Sequence, residues 1–435
     1  MLKYIGILIV GILTSFYFFP FEFVILPGAN TKMILAGISL VVLAFQLARG
    51  GRATINRELL TLSILAGLVS LASLASVTFN ETNDYTYATY IISMWVWLGG
   101  AYMAVSAMRR LHGISSVALI SNYLIGVCVV QCILALLIDS TPVFKDIVNI
   151  YIANFDFVEF DQLNEGARLY GIGAALDVSG LKFSVVLVLI AYLCLQPSIR
   201  EDGITIFCYL FSFGIITVVG NMIARTTTVG VILSIIYWCI AFCKAKGSRY
   251  LFLWIIGMSV FGVLISCYLY KVNSVFEANI QFAFEGFFSM VEKGYWYVSS
   301  NENLRDMYIF PENLKTWIIG DGYIENPQVT DPYYTGPITR GYYMGTDVGY
   351  LRFIFYFGII GLSLFLFFFF KTTQMCMQRF RDFALLFTLI LFINLLGWFK
   401  VATDIFMVFA LFLCVPGEED FKGAGRTIGA KGIDR

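Results

Sequence analysis

The chain has 435 residues, of which 59% are hydrophobic, 17% aromatic and 13% charged, with 29 basic and 29 acidic side chains and a mean hydropathy of +0.80. Soluble domains carry about twice this fraction of charged residues. The composition therefore excludes a cytosolic enzyme, a nucleic-acid-binding protein and a disordered scaffold, and it predicts an all-α, polytopic membrane protein.

Apolar stretches that are long enough to cross roughly 30 Å of hydrocarbon recur along the whole chain. We predict twelve transmembrane helices, which form a single domain over residues 1–415 and leave a tail at 416–435. Their predicted limits are 4–26, 32–48, 58–78, 88–107, 115–138, 180–196, 204–223, 226–243, 251–270, 347–370, 383–398 and 401–415.

Two of these apolar runs allow alternative assignments. The last two spans are short and share the interrupted run LLGWFKVATD (395–404), so this pair forms either two spans or one re-entrant hairpin. The run 204–243 is too long for one crossing, and GNMIARTTT (220–228) interrupts it. Because an arginine at the bilayer centre is costly, we predict a turn at the interface near Arg225.

The basic residues predict the orientation, since cytoplasmic loops collect Lys and Arg. With the N-terminus inside, the short basic loops and the tail at 416–435 all fall on the cytoplasmic side. The other side receives the segments 139–179 and 271–346. We therefore predict two cytoplasmic termini and two large extracytoplasmic loops.

The two large loops are rich in acidic residues. Residues 139–179 contain seven acidic and two basic residues, and residues 271–346 contain nine acidic and five basic residues together with many aromatic ones. Aromatic faces with nearby carboxylates suit sugar rings, which predicts contact with carbohydrate. The alternative is an interfacial aromatic belt combined with the core of a small loop subdomain.

Metal binding is not expected from the cysteine and histidine content. The nine cysteines lie within the apolar runs or at their ends, and the chain has one histidine, His112, beside basic residues of a predicted cytoplasmic loop. We therefore predict apolar packing for the cysteines, without disulfides, and neither a metal ion nor another cofactor.

The segment GARLYGIGAALDVSGLKFS (166–184) leads into the sixth predicted span. Arg168 precedes its glycine-rich part, and a flexible loop with an arginine at the start of a helix predicts a phosphate site made of backbone N–H groups and a guanidinium. Ser179 is the candidate N-cap of the helix. The alternative for Arg168 is an interfacial anchor whose side chain reaches the lipid head groups.

Arg225 lies in a short extracytoplasmic turn, where it opposes the positive-inside trend. This position predicts a compensating negative group, either a bound anion or a paired carboxylate. The alternative is a structural salt bridge within the helix bundle.

A third segment combines WIIGDGYI (317–324) with TDVGYLRFIFYFGIIGL (346–362). Gly320 and Gly322 predict a tight turn before the tenth span. Asp347 stands at the mouth of that span, where it either caps the helix or takes part in chemistry. Arg352 points into the membrane zone, which predicts an ion pair inside the bundle.

The three segments together resemble a known family. An arginine loop before a central span, an (S/A)-R-T turn and a Gly-x-Gly loop leading to (S/T)-D-x-G-Y-L and G-I-I-G-L are similar to the Wzy-type polysaccharide polymerases. This family belongs to the superfamily that includes the O-antigen ligases. The resemblance covers residues 160–365, and the flanking spans match only by hydropathy.

The resemblance implies a metal-independent membrane glycosyltransferase at the periplasmic face of a bacterial inner membrane. Its substrates would be oligosaccharide repeat units on undecaprenyl diphosphate, which it would join into O-antigen, capsule or exopolysaccharide. By this similarity, Arg168 and Arg225 would bind the diphosphate and stabilise the leaving group. Arg305 and Arg340 would contact sugar or phosphate. A chain-length regulator and a flippase would be its protein partners.

The residue that accepts the proton of the attacking hydroxyl is less strongly indicated by the resemblance. Asp347 is the first candidate because it stands at a rigid helix mouth, and Asp177 and Glu165 are the alternatives. Asp177, Tyr323 and Tyr350 are also predicted to contact the substrate.

Two other functions remain as alternatives to a polymerase. The ligases resemble one another in a periplasmic histidine near the position of Asp347, where this chain has Thr346 and Asp347, which favours a polymerase over a ligase. A flippase or transporter of lipid-linked oligosaccharide would have ionisable residues buried near the bilayer midplane. The sequence indicates only Arg352 as a strong case of such a residue.

Overall fold

The computed structural model describes residues 2–49, 56–153, 168–197, 199, 202–243, 249–336 and 341–415, with the backbone alone at 329 and 330. The predicted residues Glu165 and Arg340 and the predicted tail at 416–435 lie outside the described residues.

The first part of the chain forms helices joined by one small sheet. Strands β1 (Glu22–Phe23) and β2 (Ile152–Ala153) pair antiparallel, with Glu22 opposite Ala153. The helices are α1 (Leu2–Phe18), α2 (Thr31–Ala48), α3 (Arg57–Phe79), α4 (Tyr90–His112), α5 (Val117–Ser140), α6 (Pro142–Tyr151), α7 (Leu176–Cys194), α8 (Gly203–Ile223) and α9 (Thr227–Cys243).

The second part of the chain contains two long helices and several short ones. Two 3₁₀ turns lie at Tyr343–Gly345 and Arg381–Phe383. The helices are α10 (Arg249–Val272), α11 (Ser274–Ala283), α12 (Glu285–Lys293), α13 (Ser299–Asp306), α14 (Leu314–Ile318), α15 (Pro327–Thr330), α16 (Gly349–Arg379), α17 (Ala384–Gly397) and α18 (Phe406–Leu413).

The prediction of an all-α fold is confirmed, and each predicted span overlaps a helix. Within the described residues, eight helices are long and apolar enough to cross a membrane, namely α2, α3, α4, α5, α7, α8, α10 and α16. Helices α1 and α9 are apolar but have 17 residues each. Helix α18 has eight residues, which is about 12 Å of helix and too short to cross the hydrocarbon. The number of twelve spans therefore stays a prediction.

Polar residues define the start of several long helices. The side chains of Asn30, Asn56, Ser116 and Asp202 accept backbone N–H groups of the first turns of α2, α3, α5 and α8, as N-caps do. The turn predicted near Arg225 is confirmed, since α8 ends at Ile223 and α9 begins at Thr227.

Several predicted helix limits differ from the structure; for example, α16 continues to Arg379 and α18 begins at Phe406. Helix α1 ends at Phe18 rather than near residue 26, because the residue before a proline disfavours helical backbone and Pro20 follows. Helix α7 begins at Leu176 without a side-chain cap, so Ser179 is not the N-cap. Ser179 lies one turn inside the helix and is buried.

Helix α7 is the central element of the bundle. It packs against α5, α8, α9 and α17, and almost every residue from Ser179 to Cys194 is buried. Helix α10 shows the opposite pattern, with Leu251 as its buried residue. The bundle therefore has α7 at its centre and α10 at its periphery.

Helix α16 contains a kink that receives the loop predicted from WIIGDGYI. Gly358 has φ +67° inside the helix, a conformation that favours glycine. The backbone N–H of Gly322 donates to the carbonyl of Tyr356 at 3.1 Å. This contact anchors the 317–324 loop at the end of the bundle where the segments 168–175, 273–336 and 341–348 also lie. We call this end the loop end.

Candidate functional site

Arg168 and Arg225 meet at the loop end on one aromatic ring. The guanidinium carbon of Arg225 lies 4.0 Å from the centre of the Phe282 ring, and that of Arg168 lies 4.8 Å from the same centre. Cations are attracted to the face of an aromatic ring. Two arginines from separate connections between helices therefore form one cationic centre.

Helix packing around α7 places the two arginines. The Thr226 hydroxyl donates to the Asp177 carbonyl at 3.2 Å, and the Ser184 hydroxyl donates to the Thr226 carbonyl at 2.9 Å. The Leu169 N–H donates to the Met222 carbonyl at 3.2 Å. These bonds hold the Arg225 turn and the Arg168 loop above the first turns of α7.

Arg225 has a carboxylate partner in the second large loop. Its guanidinium lies 2.7 Å from Glu285 Oε2, its Nε donates to the Phe282 carbonyl at 2.9 Å, and it contacts Ser300 Oγ at 3.2 Å. Burial lowers the pKa of Arg225, and the Glu285 carboxylate raises it. Of the two compensating groups considered from the sequence, the structure shows the carboxylate.

Asp177 forms an ion pair with a lysine that the sequence analysis missed. Lys400 Nζ lies 3.0 Å from Asp177 Oδ1. Lys400 comes from the break between α17 and α18, where the Asn394 side chain accepts the Ile405 N–H and the Trp398 indole donates to the Thr403 carbonyl. The charge inside the interrupted run LLGWFKVATD was the available signal for this residue.

Asp347 lies beside Arg352, which is buried in the first turn of α16. Arg352 contacts Asp347 at 3.5 Å and Glu325 at 2.7 Å, and it donates to the Ile324 carbonyl at 3.1 Å. The ion pair predicted for Arg352 is therefore present. Asp347 does not cap the helix, since the N-cap residue is Val348 and the first-turn N–H of Tyr350 donates to the Trp398 carbonyl at 2.9 Å.

The environment of Asp347 favours its neutral form. Burial raises the pKa of Asp347 to about 7. Arg352 and Lys400 act to lower this pKa, whereas Asp177 and Glu325 act to raise it. A carboxyl group with a pKa near neutrality is suited to proton transfer.

Asp177 connects the cationic centre with Asp347. Its charge acts on Arg168 and Arg225 on one side and on Asp347 on the other. We call Arg168, Asp177, Arg225, Asp347 and Lys400 the mouth. It combines three cations with two carboxylates, and it draws on four separate parts of the chain.

The remaining candidates have other surroundings. Tyr323 is buried and donates to Asp331 at 3.4 Å, and Tyr350 donates to the Leu395 carbonyl at 2.9 Å. Arg305 is exposed on α13, the short helix that also carries Ser300. The structure therefore brings Arg168, Arg225, Asp177 and Asp347 together but does not place Tyr323, Tyr350 or Arg305 in the mouth.

The aromatic residues of 271–346 have three kinds of surroundings. Tyr323 and Tyr343 pack with Val348, Leu351 and other apolar residues into a small core of their own, as the loop-subdomain alternative predicts. Phe284 and Phe288 are partly buried against the main core of the bundle. Other side chains are largely exposed and accessible to a ligand, including those of Tyr295, Trp296 and Tyr333.

No protein-family model, no curated protein and no solved structure matches this chain.

Proposed function

We propose that the protein is a polysaccharide polymerase, a membrane glycosyltransferase that joins lipid-diphosphate-linked oligosaccharide repeat units into O-antigen, capsule or exopolysaccharide. In this proposal the loop end faces the periplasm of a bacterium and the mouth is the active site. The helix bundle supplies the membrane anchor, and the resemblance of the three sequence segments supplies the reaction class.

The observation that carries the proposal is the shared contact of Arg168 and Arg225 with Phe282. A glycosyl transfer from a lipid diphosphate breaks the bond between the anomeric carbon and the diphosphate oxygen, and negative charge grows on that oxygen. Two guanidiniums held in one place stabilise such charge, and each presents a fork of donors that matches phosphate.

Asp347 supplies the base in the proposed reaction. The hydroxyl oxygen of the acceptor sugar attacks the anomeric carbon, its proton passes to the Asp347 carboxylate, and the lipid diphosphate leaves toward the arginines. The pKa of about 7 at Asp347 leaves a substantial ionised fraction at neutral pH, while the group still holds the proton well.

A polymerase fits the mouth better than a ligase does. His112, the single histidine of the chain, lies at the end of α4 and bonds the Tyr123 hydroxyl at 2.9 Å. The charged groups that act on Asp347, where the related ligases have their histidine, are instead Arg352, Asp177, Lys400 and Glu325.

The test deletes this gene in the source bacterium and complements the deletion with the wild-type gene or a variant. The surface polysaccharide of each strain is then separated by size on a gel. Wild type and the exposed-arginine control Arg249→Ala should restore a ladder of chain lengths, whereas Arg225→Ala and Arg168→Ala should leave core plus a single repeat unit. Immunoblots of the membrane fraction check that each variant is present. A normal ladder from either mouth variant would contradict the diphosphate assignment.

The same gel separates the alternatives. Loss of all surface glycan in the deletion strain, with full-length polymer on the lipid carrier, would indicate a ligase. An unchanged ladder would indicate a transporter. One observation favours the transporter. Lys182, which the sequence analysis did not single out, is buried within α7 with 4% of its surface exposed, and a transporter is expected to have such buried ionisable residues.

A further inference from the structure

A deep apolar groove runs along the side of the bundle, outside the mouth. Helix α8 forms its floor, and α9 and α10, which each line one side, form its walls. The groove has a volume of about 710 Å³. Along α10 its lining extends from Phe252 to Lys271, about 28 Å at 1.5 Å per residue, which matches the thickness of the hydrocarbon.

The lining of the groove is apolar and leaves space for a chain. Phe213, Trp238 and Phe252 are among its side chains. Gly214 and Gly262 also line it, and a Cβ atom built on either glycine meets no atom within 4 Å. Leu251 is the buried residue of α10, so this wall of the groove lies at the surface of the bundle.

The outer end of the groove adjoins the cationic centre. Phe284 and Phe288 line the groove at the loop end together with Lys271, and the Phe288 ring stacks on that of Tyr270. Two residues before Phe284, the Phe282 carbonyl and ring contact Arg225. The short connection from α11 to α12 therefore has the groove on one side and the arginines on the other.

We propose that the groove binds the isoprenoid chain of one lipid diphosphate, whose head group replaces Glu285 on Arg225. This proposal rests on the proposed function and assigns the lipid part of its donor to α8, α9 and α10. The Arg225–Glu285 ion pair fixes α12 across the outer end of the groove when the site is empty. Arrival of a diphosphate releases Glu285 and lets the connection from α11 to α12 move.

Two features favour a single lipid chain as the occupant over a protein helix. The groove is lined on two sides by α9 and α10 and at the loop end by Phe284 and Phe288, whereas a helix about 10 Å wide needs a broad open face. Lys271, which lines the groove, and Arg225, which contacts Phe282, supply positive charge at the loop end, where a lipid phosphate would lie.

The experiment measures binding of undecaprenyl diphosphate to the purified full-length protein by native mass spectrometry. Gly262→Phe and Gly214→Phe fill the groove, and Gly257→Phe is the matched control, since Gly257 is on α10, has open space at its Cβ position and does not line the groove. We expect affinity to fall at least tenfold in both groove variants and to stay unchanged in the control. Wild-type affinity in the groove variants would overturn the proposal.

A second variant tests the role of Glu285 without filling the groove. Glu285→Gln removes the carboxylate that competes with phosphate for Arg225, so we expect undecaprenyl diphosphate to bind about threefold more tightly or better. Weaker binding by this variant would overturn the proposal. Displacement of the bound undecaprenyl diphosphate by an equal concentration of phosphatidylglycerol would overturn it too, since the groove would then bind bulk lipid only.

The polysaccharide gel separates this proposal from the proposed function. If the groove variants lose the lipid but the gene deletion leaves the ladder intact, the groove assignment stands and the polymerase assignment fails. If the deletion and Arg225→Ala abolish the ladder but the groove variants bind lipid normally, the polymerase stands and the groove assignment fails.

Discussion

The ammonium group of Lys400 lies 3.0 Å from the carboxylate of Asp177. This ion pair joins the break between α17 and α18 to the first turn of α7, and both side chains are mostly shielded from solvent. The two partners also act in opposite directions on Asp347, because Asp177 raises its pKa and Lys400 lowers it. The pair therefore bears directly on the protonation of the proposed base.

We expect Lys400→Met to move the acidic limb of the pH–rate profile to higher pH. Loss of a cation that lowers the pKa of Asp347 raises that pKa above its value of about 7. Because the proposed base acts only when it is ionised, the rate at about pH 6 should fall more than the rate at about pH 8. The measurement is polymer formation by purified protein over a pH series.

Two further variants control this prediction. Lys400→Arg keeps the charge and should leave the limb near its original position. Asp177→Asn removes a group that raises the pKa of Asp347, so the limb should move to lower pH. A shift in the same direction for Lys400→Met and Asp177→Asn would show that both changes disturb the fold rather than the charge on Asp347.

Arg225→Lys should be impaired although it keeps the positive charge. The guanidinium contacts the Phe282 carbonyl, Ser300 and Glu285 at the same time, which a single ammonium group does not reproduce. We expect polymer yield to fall at least about tenfold, in line with the loss of one charge-stabilising donor. A full ladder at normal protein level would mean that charge alone is sufficient.

The positions of the helices and of Arg225 could be predicted from the sequence because they depend on local signals. Apolar runs of membrane length predict the helices, and an arginine between two such runs predicts a turn. The tight loop at Gly320 and Gly322 follows from the same kind of local pattern, and both residues have positive φ in the structure.

The partners of these residues could not be predicted, because tertiary packing chooses them. Glu285 is one of nine acidic residues in the segment 271–346, and nothing local distinguishes it as the partner of Arg225. Lys400 lies in a break whose path depends on bonds from Asn394 and Trp398. Tyr350 matched the family pattern, yet its hydroxyl bonds a backbone carbonyl of α17.

Arg352→Met should destabilise the protein. The Arg352 side chain is 6% exposed and contacts Glu325 and Asp347. Removing one partner of a fully buried pair costs about 3–5 kcal/mol, but Glu325 is half exposed and solvent screens part of the interaction. We expect a loss of about 2 kcal/mol in the free energy of unfolding, seen as a lower melting temperature in detergent.

The control for this measurement is Arg249→Met. Arg249 is exposed at the start of α10, and its replacement should leave the melting temperature within error of wild type. If both variants melt at the wild-type temperature, the Arg352 contacts do not contribute to stability and the prediction is wrong.

Gly358→Ala should destabilise the protein. A Cβ atom at Gly358 would clash with the Ile318 carbonyl oxygen, and the residue has φ +67°. Strained backbone of this kind costs about 1–3 kcal/mol, and here the backbone of α14 must also move away from α16. We expect a loss of about 3 kcal/mol in stability, measured as a lower melting temperature. Gly257→Ala is the control, since Gly257 is a helical glycine with open space around it. This change should be neutral or stabilising by up to about 1 kcal/mol. Equal melting temperatures of the two variants would contradict the role of the kink.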